Sequence, residues 1–194
     1  MGKATGPTYN VPYRRRRENR TNYQKRLAMI KPDSNRLVVR QSNKAVLVQL
    51  VSFDPAGDKT LISASSRELE QKGWLSQANT PTSYLTGILA AKKAIAKGIK
   101  KAHLDIGMAT ASKGRILFAA AMGAKAAGLD INIDENLVEK ERINGSHISE
   151  YAKKLESEDK AKYEKLFSRY AKKKVDVKNL AAVFEKTRDA LMSG

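Results

Sequence analysis

Four consecutive arginines, Arg14–Arg17, are the residues whose type and spacing point most directly to a chemistry. Residues 1–44 hold 12 of the 37 Lys and Arg residues but 2 of the 20 Asp and Glu residues, so less than a quarter of the chain carries +10 of its net charge of +17. A run of like charges repels itself unless anions neutralise it. The segment is therefore predicted to order against phosphate groups, and the charge favours nucleic acid or an anionic membrane surface as the partner.

Residues able to act in catalysis, or to bind a metal or a nucleotide, occur without the spacing that such sites need. Residues 57–60 read Gly-Asp-Lys-Thr, but no earlier glycine completes a phosphate-binding loop, so they are interpreted as a turn. His103 and His147 have no partner at ligand spacing and are interpreted as structural. Asp105 and Asp130 could form a carboxylate pair, but an acid beside a strand more often caps a nearby turn or helix. Since cysteine is absent too, we predict that the protein is not an enzyme and uses no cofactor, metal or small-molecule substrate.

A membrane fits the sequence less well than nucleic acid does. No apolar run approaches the roughly 18 residues that span a bilayer, and the N-terminus lacks the apolar stretch of a signal peptide. The basic segment also lacks the bulky apolar face with which an amphipathic helix binds lipid. No membrane partner is expected, and the absence of cysteine agrees with a reducing cytoplasm.

The N-terminal residues are predicted to form an extended arm followed by one basic helix. Residues 1–12 contain two glycines and two prolines, which favour an extended segment that orders on binding. Tyr9 and Tyr13 either stack on bases or sugars or are merely exposed. A single helix is predicted from Arg14 to about Ile30, with Tyr23, Leu27 and Ile30 as its apolar edge.

Three apolar segments predict an antiparallel meander at residues 36–40, 44–53 and 59–66, joined by turns at 41–43 and 54–58. After an irregular stretch in which Trp74 fills a core edge, a helix is predicted over residues 83–100, capped by Thr82 or Ser83. Its predicted buried stripe is Leu85, Ile88, Leu89, Ile95 and Ile99. A strand at 102–107, a loop at 108–114, a helix at 115–127 and a strand at 129–133 follow, which implies right-handed crossovers onto one sheet.

These elements predict an α/β (α+β) fold whose mixed sheet combines a three-stranded antiparallel meander with strand-helix-strand crossovers. Charged helices are expected at the C-terminus, including residues 159–173 and 177–192. We predict three parts: a basic arm with the first helix at residues 1–32, an α/β RNA-binding domain at 33–133 and a helical C-terminal extension at 134–194.

The sequence TGPTYNVPYRRRRENRTNYQKRL at residues 5–27 resembles the N-terminus of the 5S rRNA-binding proteins of the large ribosomal subunit, protein eighteen of the bacterial series. The resemblance continues through RLVVRQSNKAVLVQLV, SYLTGILAAKKAIAKGI, LDIGMATASKGRIL, AAGLDI and GSHISEYAKKL, and so covers nearly the whole chain in order. The bacterial form lacks most of the arm and the C-terminal helices, so these segments resemble the longer archaeal form.

The resemblance implies a structural ribosomal protein that contacts 5S rRNA and large-subunit rRNA, helps to attach one to the other, and lies beside neighbouring proteins in the central protuberance of a cytoplasmic ribosome. It places RNA contacts on the arm, on one hairpin and on a loop that opens a helix. The expected RNA-binding residues are Lys3, Tyr9, Tyr13, Arg14, Arg15, Arg16, Arg17, Arg20, Tyr23, Arg40, Ser42, Asn43, Lys44, Ser112, Lys113, Gly114 and Arg115.

Two of these groups also make physical sense without the resemblance. Backbone N–H groups at a helix N-terminus, beside Ser112, Lys113 and Arg115, would form a phosphate seat. Asn43 in a tight turn tolerates positive φ and would present its amide to RNA. Two alternatives stay open: a basic assembly factor or ribosomal protein for another structured RNA, and an RNA-processing enzyme.

Overall fold

The computed structural model describes residues 6–7, 9–32, 34–173 and 175–193. Its sheet has the strand order β3-β2-β1-β4. The strands are β1 Arg36–Gln41, β2 Val46–Ser52, β3 Lys59–Ser65 and β4 His103–Asp105. Neighbours pair antiparallel from β1 to β3, whereas β4 pairs parallel with β1. The predicted fold class and meander are therefore confirmed.

Alternation along the strands divides the sheet into two faces. Leu37 pairs with Leu50, and Val39 pairs with Val48; all four side chains are fully buried. They pack against two helices, α3 Thr80–Ala96 and α4 Ile116–Ala126. Side chains alternate across a strand, so Arg36, Val38 and Arg40 project from the opposite face.

Glycine brings the backbones of α3 and α4 into direct contact. A Cβ added to Gly87 would lie 1.9 Å from the Ala120 carbonyl oxygen, and one added to Gly123 would lie 2.1 Å from the Tyr84 carbonyl oxygen. Ser83 Oγ also donates a hydrogen bond to the Ile116 carbonyl across this contact, at 2.7 Å. Such separations leave no space for any larger residue.

The bounds of α3 differ from the prediction. Asn79 is the N-cap, because its side chain accepts a hydrogen bond from the Thr82 N–H, and Pro81 lies in the first turn where no N–H is needed. The helix ends at Ala96, and Gly98 has a φ of +76°. The prediction that Ile95 is buried was wrong, since 40% of it is exposed.

The last predicted strand, residues 129–133, was also wrong. It makes a single parallel bridge, between Lys101 and Asp130. Leu129, Ile131 and Ile133 are nonetheless buried, because alternation suits an extended segment that packs on the core without a continuous ladder.

The C-terminal residues form helices α5 Lys140–Asn144, α6 Ser146–Glu158, α7 Lys160–Lys172 and α8 Leu180–Ser193. Short 3₁₀-helices occur at Ser66–Lys72 and Glu135–Leu137. Phe184 of α8 contacts Trp74 edge-on, with ring centroids 6.0 Å apart. Trp74 is buried, as expected, and its indole N–H donates to Thr82 Oγ1 at 2.9 Å. The C-terminal helices thus share a second core with α3.

Lys93 of α3 and Lys97, the residue that follows this helix, reach the edge strand β3. Lys93 Nζ donates to the Ser63 carbonyl at 3.0 Å, and Lys97 Nζ donates to the Leu61 carbonyl at 2.7 Å. Lys93 Nζ also lies 2.6 Å from the Glu68 carboxylate. Within the described ranges, no helix has the length and apolar character required to cross a membrane.

Candidate nucleic-acid interface

The basic part of the arm forms two short helices, where the sequence predicted one. They are α1 Arg14–Arg17 and α2 Tyr23–Ile30. Between them the chain reverses at Asn19, whose φ of +53° is the one positive value found outside glycine in the described residues. The N–H groups of Arg20 and Thr21 donate to the Arg15 carbonyl, at 2.8 and 3.2 Å.

Asn22 begins the second helix, because its side chain accepts a hydrogen bond from the Lys25 N–H at 3.1 Å. The sequence Glu-Asn-Arg-Thr-Asn at residues 18–22 contains the turn and cap residues that signal this break. The basic residues on both sides of this turn are what favoured a single helix in the prediction.

The apolar edge predicted for this segment is only partly correct. Leu27 is 58% exposed, whereas the half-buried residues of α2 are Arg26, Met29 and Ile30. Tyr23 packs on Tyr13, with ring centroids 5.2 Å apart. Tyr13 remains 74% exposed, so most of its surface is open to a ligand.

The arginines around α1 point into solvent, and no residue of α1 is buried. Glu18 lies 3.2 Å from Arg20 Nε and 4.0 Å from Arg14 Nε. Arg15 Nε donates to Thr21 Oγ1 at 2.9 Å, which fixes the reversal. Exposed pairs of this kind are weak, so the segment keeps a strongly positive surface.

The hairpin between β1 and β2 uses Ser42 for its own closure. The Ser42 N–H and Oγ both donate to the Ala45 carbonyl at 2.9 Å, and Oγ accepts from the Ala45 N–H at 3.0 Å. Asn43 and Lys44 are exposed at the tip. Asn43 does not take the positive φ that was considered for it. Among the described residues other than glycine, only Asn19 has a positive φ.

Arg40 has a structural partner that the sequence did not reveal. Its Nη1 donates to the Asp105 carbonyl at 2.8 Å, and its Nη2 donates to Asp105 Oδ1 at 3.2 Å. The same carboxylate oxygen accepts the Gly107 N–H at 2.7 Å. The interpretation of Asp105 as an acid that caps a turn is therefore confirmed. The Arg40 side chain is still 45% exposed, so part of the guanidinium can meet a ligand.

A chain of charges extends from Asp105 beneath the arm. Arg36 Nη1 lies 3.0 Å from Asp105 Oδ2, and Arg36 Nη2 lies 2.7 Å from Asp58 Oδ2. The other oxygen of Asp58 accepts from Arg26 Nη2 at 2.9 Å. The sequence did not indicate Arg36 and Asp58 as part of the interface, or that Arg26 pairs with Asp58, because these partners are distant in the chain.

The loop that opens α4 is less free than predicted. Arg115 is the N-cap residue, and its Nη1 donates to the Thr110 carbonyl at 2.9 Å. The Gly114 N–H donates to the Leu137 carbonyl at 2.7 Å, so it does not contribute to a phosphate seat. Ser112 and Lys113 are exposed.

The three predicted groups meet at one open cleft of about 620 Å³. Four arginines line it, Arg15 and Arg20 from the arm, Arg40 from β1 and Arg115 from the α4 loop, together with Ser42 and Asn43. No Asp or Glu occurs among its described lining residues. Lys3 lies outside the described residues, and the predicted residues that do not line the cleft are Tyr9, Tyr13, Arg14, Arg16, Arg17, Tyr23, Lys44, Ser112, Lys113 and Gly114.

A second cavity of about 550 Å³, between α3, α4, α5 and α8, has a different character. Its lining mixes aromatic residues with Glu135 and Glu185 as well as basic residues. Burial raises the pKa of the Tyr84 hydroxyl there, with the Arg188 charge opposing it. Carboxylates in the wall disfavour a phosphate ligand, so the arginine cleft is the better anion site.

Comparison with known proteins gives consistent matches. A family model described as "Ribosomal large subunit proteins 60S L5, and 50S L18" matches residues 7–101. A protein of Metallosphaera sedula named "Large ribosomal subunit protein uL18" is 45% identical over 192 residues, covering 98% of both chains. Proteins of the same name from Sulfurisphaera tokodaii and Methanobrevibacter smithii are 42% identical over 193 residues and 46% identical over 187 residues, covering 98% and 95% of both chains respectively.

Proposed function

The chain belongs to the family of ribosomal large subunit proteins 60S L5 and 50S L18, and we propose that it binds 5S rRNA and helps to attach it to the large-subunit rRNA. It is a structural ribosomal protein of the large subunit, of archaeal type, and not an enzyme. Its place of action is the cytoplasmic ribosome. The finer proposal includes a position in the central protuberance, beside other large-subunit proteins.

The observation that carries the proposal is the cleft lined by Arg15, Arg20, Arg40 and Arg115 without a described acidic residue. A guanidinium presents several N–H donors in a planar fork that matches phosphate oxygens. Four such groups from three separate segments can contact successive phosphates of a folded RNA backbone. Neutralising those phosphates releases counterions, which supplies most of the affinity.

Selectivity for one RNA needs more than charge. The Tyr13–Tyr23 pair is exposed beside α1 and offers an aromatic surface on which an unstacked base can lie. The hairpin tip presents Asn43 and Lys44, whose side chains suit a ribose hydroxyl or base edge and a phosphate respectively. RNA shape, read by the spacing of these groups, then selects 5S rRNA over other structured RNA.

The proposal is tested by competition binding. Labelled 5S rRNA is bound at near-physiological salt and displaced by unlabelled 5S rRNA or by an equal mass of unrelated folded RNA. The same experiment is made with an Arg15→Gln/Arg20→Gln/Arg115→Gln variant. A Lys160→Gln/Lys162→Gln/Lys165→Gln variant is the control, because it removes the same charge from exposed positions of α7.

We expect the wild type to prefer 5S rRNA, the arginine variant to lose most of that affinity, and the lysine variant to keep it. Equal binding of both RNAs by the wild type would favour the alternative of an assembly factor for another RNA. A similar loss in both variants would mean that total charge, and not the cleft, determines binding.

A further inference from the structure

The basic arm is attached to the sheet through one polar contact. Arg26 Nη2 of α2 donates to Asp58 Oδ1 at 2.9 Å. For the parts of the chain that the structure describes, this is the only hydrogen bond or salt bridge between residues 6–32 and the remainder. Neither α1 nor α2 contains a fully buried residue, and the apolar residues Met29 and Ile30 of α2 are only half-buried, so apolar packing contributes less to the attachment than it does in the core.

Asp58 is itself held rigidly from the other side. Its second oxygen accepts from Arg36 Nη2 at 2.7 Å, and Arg36 in turn contacts Asp105 at 3.0 Å. The side chains of Arg36 and Asp105 are 4% and 6% exposed, so this anchor is shielded from water although it lies on the sheet face opposite α3 and α4. Asp58 therefore joins the arm to a fixed point and not to a mobile surface group.

The contact between Arg26 and Asp58 bears on where the arginines of the arm lie. With α2 docked, the reversal at Asn19 carries Arg15 and Arg20 back over the sheet, where they line the cleft opposite Arg40 and Arg115. An undocked arm would have to order itself when RNA binds, and that loss of conformational entropy would weaken the complex.

We propose that Asp58 is a positioning residue of the RNA interface, which strengthens RNA binding by holding α2 in place even though its own charge repels phosphate. This inference rests on the proposed function, because it assumes that the cleft binds RNA. The change in RNA affinity that it predicts is opposite to the change expected from net charge alone. Removing an acid from a basic protein should tighten RNA binding, whereas removing Asp58 should weaken it.

The test compares full-length Asp58→Asn with Asp54→Asn. Asp54 lies in the same connection between β2 and β3, and both carboxylate side chains are 24% exposed. Asp54 instead binds Lys59 at 2.5 Å and makes no hydrogen bond or salt bridge to the described residues of the arm. Because losing a partly buried ion pair also loosens the arm, we expect 5S rRNA affinity to fall roughly three- to tenfold in Asp58→Asn. Asp54→Asn should bind as well as wild type or slightly better.

A double-mutant cycle with Arg26→Gln tests whether the loss of RNA affinity comes from the Arg26–Asp58 contact. Arg26→Gln breaks the same pair from the arm side and leaves the Arg36–Asp58 contact in place, so the core is not disturbed. If Asp58 acts through Arg26, Asp58→Asn causes little further loss when Arg26 is already changed. In the free protein, trypsin should also cleave at Lys25 and Arg26 faster in Asp58→Asn than in Asp54→Asn.

Equal or tighter RNA binding by Asp58→Asn would overturn the proposal. So would the same loss with and without Arg26, because the effect would then come from the core. These comparisons can be made on any RNA that the wild type binds. If the wild type showed no preference for 5S rRNA, the proposed function would be contradicted. The comparison of Asp58→Asn with Asp54→Asn would still decide whether Asp58 positions the arm for RNA binding.

Discussion

The guanidinium of Arg36 lies 3.0 Å from the carboxylate of Asp105, and both side chains are almost completely shielded from water. Asp105 also accepts hydrogen bonds from Arg40 and from the Gly107 N–H. One carboxylate therefore links the interior of the sheet to an arginine of the cleft. Gly107 has a φ of +64°, a conformation that favours glycine, and a Cβ there would lie 3.0 Å from the Arg40 guanidinium.

Asp105→Ala should destabilise the protein strongly. The substitution removes one of the two carboxylates that Arg36 contacts, together with the hydrogen bonds from Arg40 and the Gly107 N–H. A buried charge left without any partner costs about 3–5 kcal/mol, and because Asp58 still pairs with Arg36 we expect a loss toward the lower end, roughly 2–3 kcal/mol. Urea unfolding followed by circular dichroism measures the change. Asp130→Ala is the control, because its side chain is 70% exposed, and it should alter the free energy of unfolding by less than about 0.5 kcal/mol. Similar values for the two variants would refute the importance of the Arg36–Asp105 pair.

Gly87→Ala should destabilise the protein, contrary to helix propensity. In an open helix, alanine is more favourable than glycine by about 1 kcal/mol. At Gly87 the new methyl group would meet the Ala120 carbonyl oxygen at 1.9 Å, and the helices would have to separate, at a cost of roughly 1–3 kcal/mol or more. Thermal unfolding measures the sign. Gly123→Ala should behave in the same way, and an increase in stability for either variant would contradict the close contact.

The Arg15→Gln/Arg20→Gln/Arg115→Gln variant should show a weaker dependence of RNA binding on salt. If each arginine neutralises one phosphate, the slope of log affinity against log salt concentration becomes shallower by roughly two to three. Titrations of 5S rRNA over a range of salt concentrations give the slope. An unchanged slope together with lower affinity would mean that these arginines act without contacting phosphate.

Glu68→Gln should destabilise the protein at neutral pH but not in acid. Burial is the largest single influence and raises the Glu68 pKa, but hydrogen bonds from Lys93 and the Ser65 N–H, with the Lys93 charge, together lower that pKa below its usual value. A carboxyl with a lower pKa in the folded state stabilises it above the unfolded pKa, near 4.3, and this contribution is lost as pH falls through the folded pKa.

The expected loss at pH 7 is about 0.5–1 kcal/mol, discounted because the Glu68 side chain is 40% exposed. At a pH below the folded pKa, the wild type and the variant should unfold at the same urea concentration. Glu150→Gln, at an exposed position of α6, should have little effect at either pH. A Glu68 effect that persisted in acid would indicate a packing role and not an ionic one.

The sheet was predictable because its strands carry local patterns. Leu37 and Val39 alternate with Arg36 and Val38, and the turn residues between strands are Asn, Asp, Pro and Gly. Such signals depend only on neighbours in the chain. The split between α1 and α2 was also signalled locally, by the turn residue Asn19 and the cap residue Asn22, although basic residues on both sides of the turn resemble one continuous helix.

Other features depend on residues far apart in the sequence. Arg40 was expected as an RNA contact, but its bonds to Asp105 join positions 65 residues apart, and no local pattern indicates them. The contact at Gly87 likewise requires the position of Ala120 in α4. The arginine cleft combines three segments that only the fold brings together, so its residues were predicted as separate groups and not as one site.

Lys93 of α3 and Lys97, which follows the helix, cover part of the edge strand β3. An edge strand presents backbone groups that can recruit a strand from another molecule and begin aggregation. Lys93 and Lys97 occupy two carbonyls of β3, and an ammonium group there also imposes a desolvation penalty on any incoming strand. We therefore expect these two lysines to disfavour pairing of a strand from another molecule with β3, a role at the edge of the sheet that is separate from the arginine cleft.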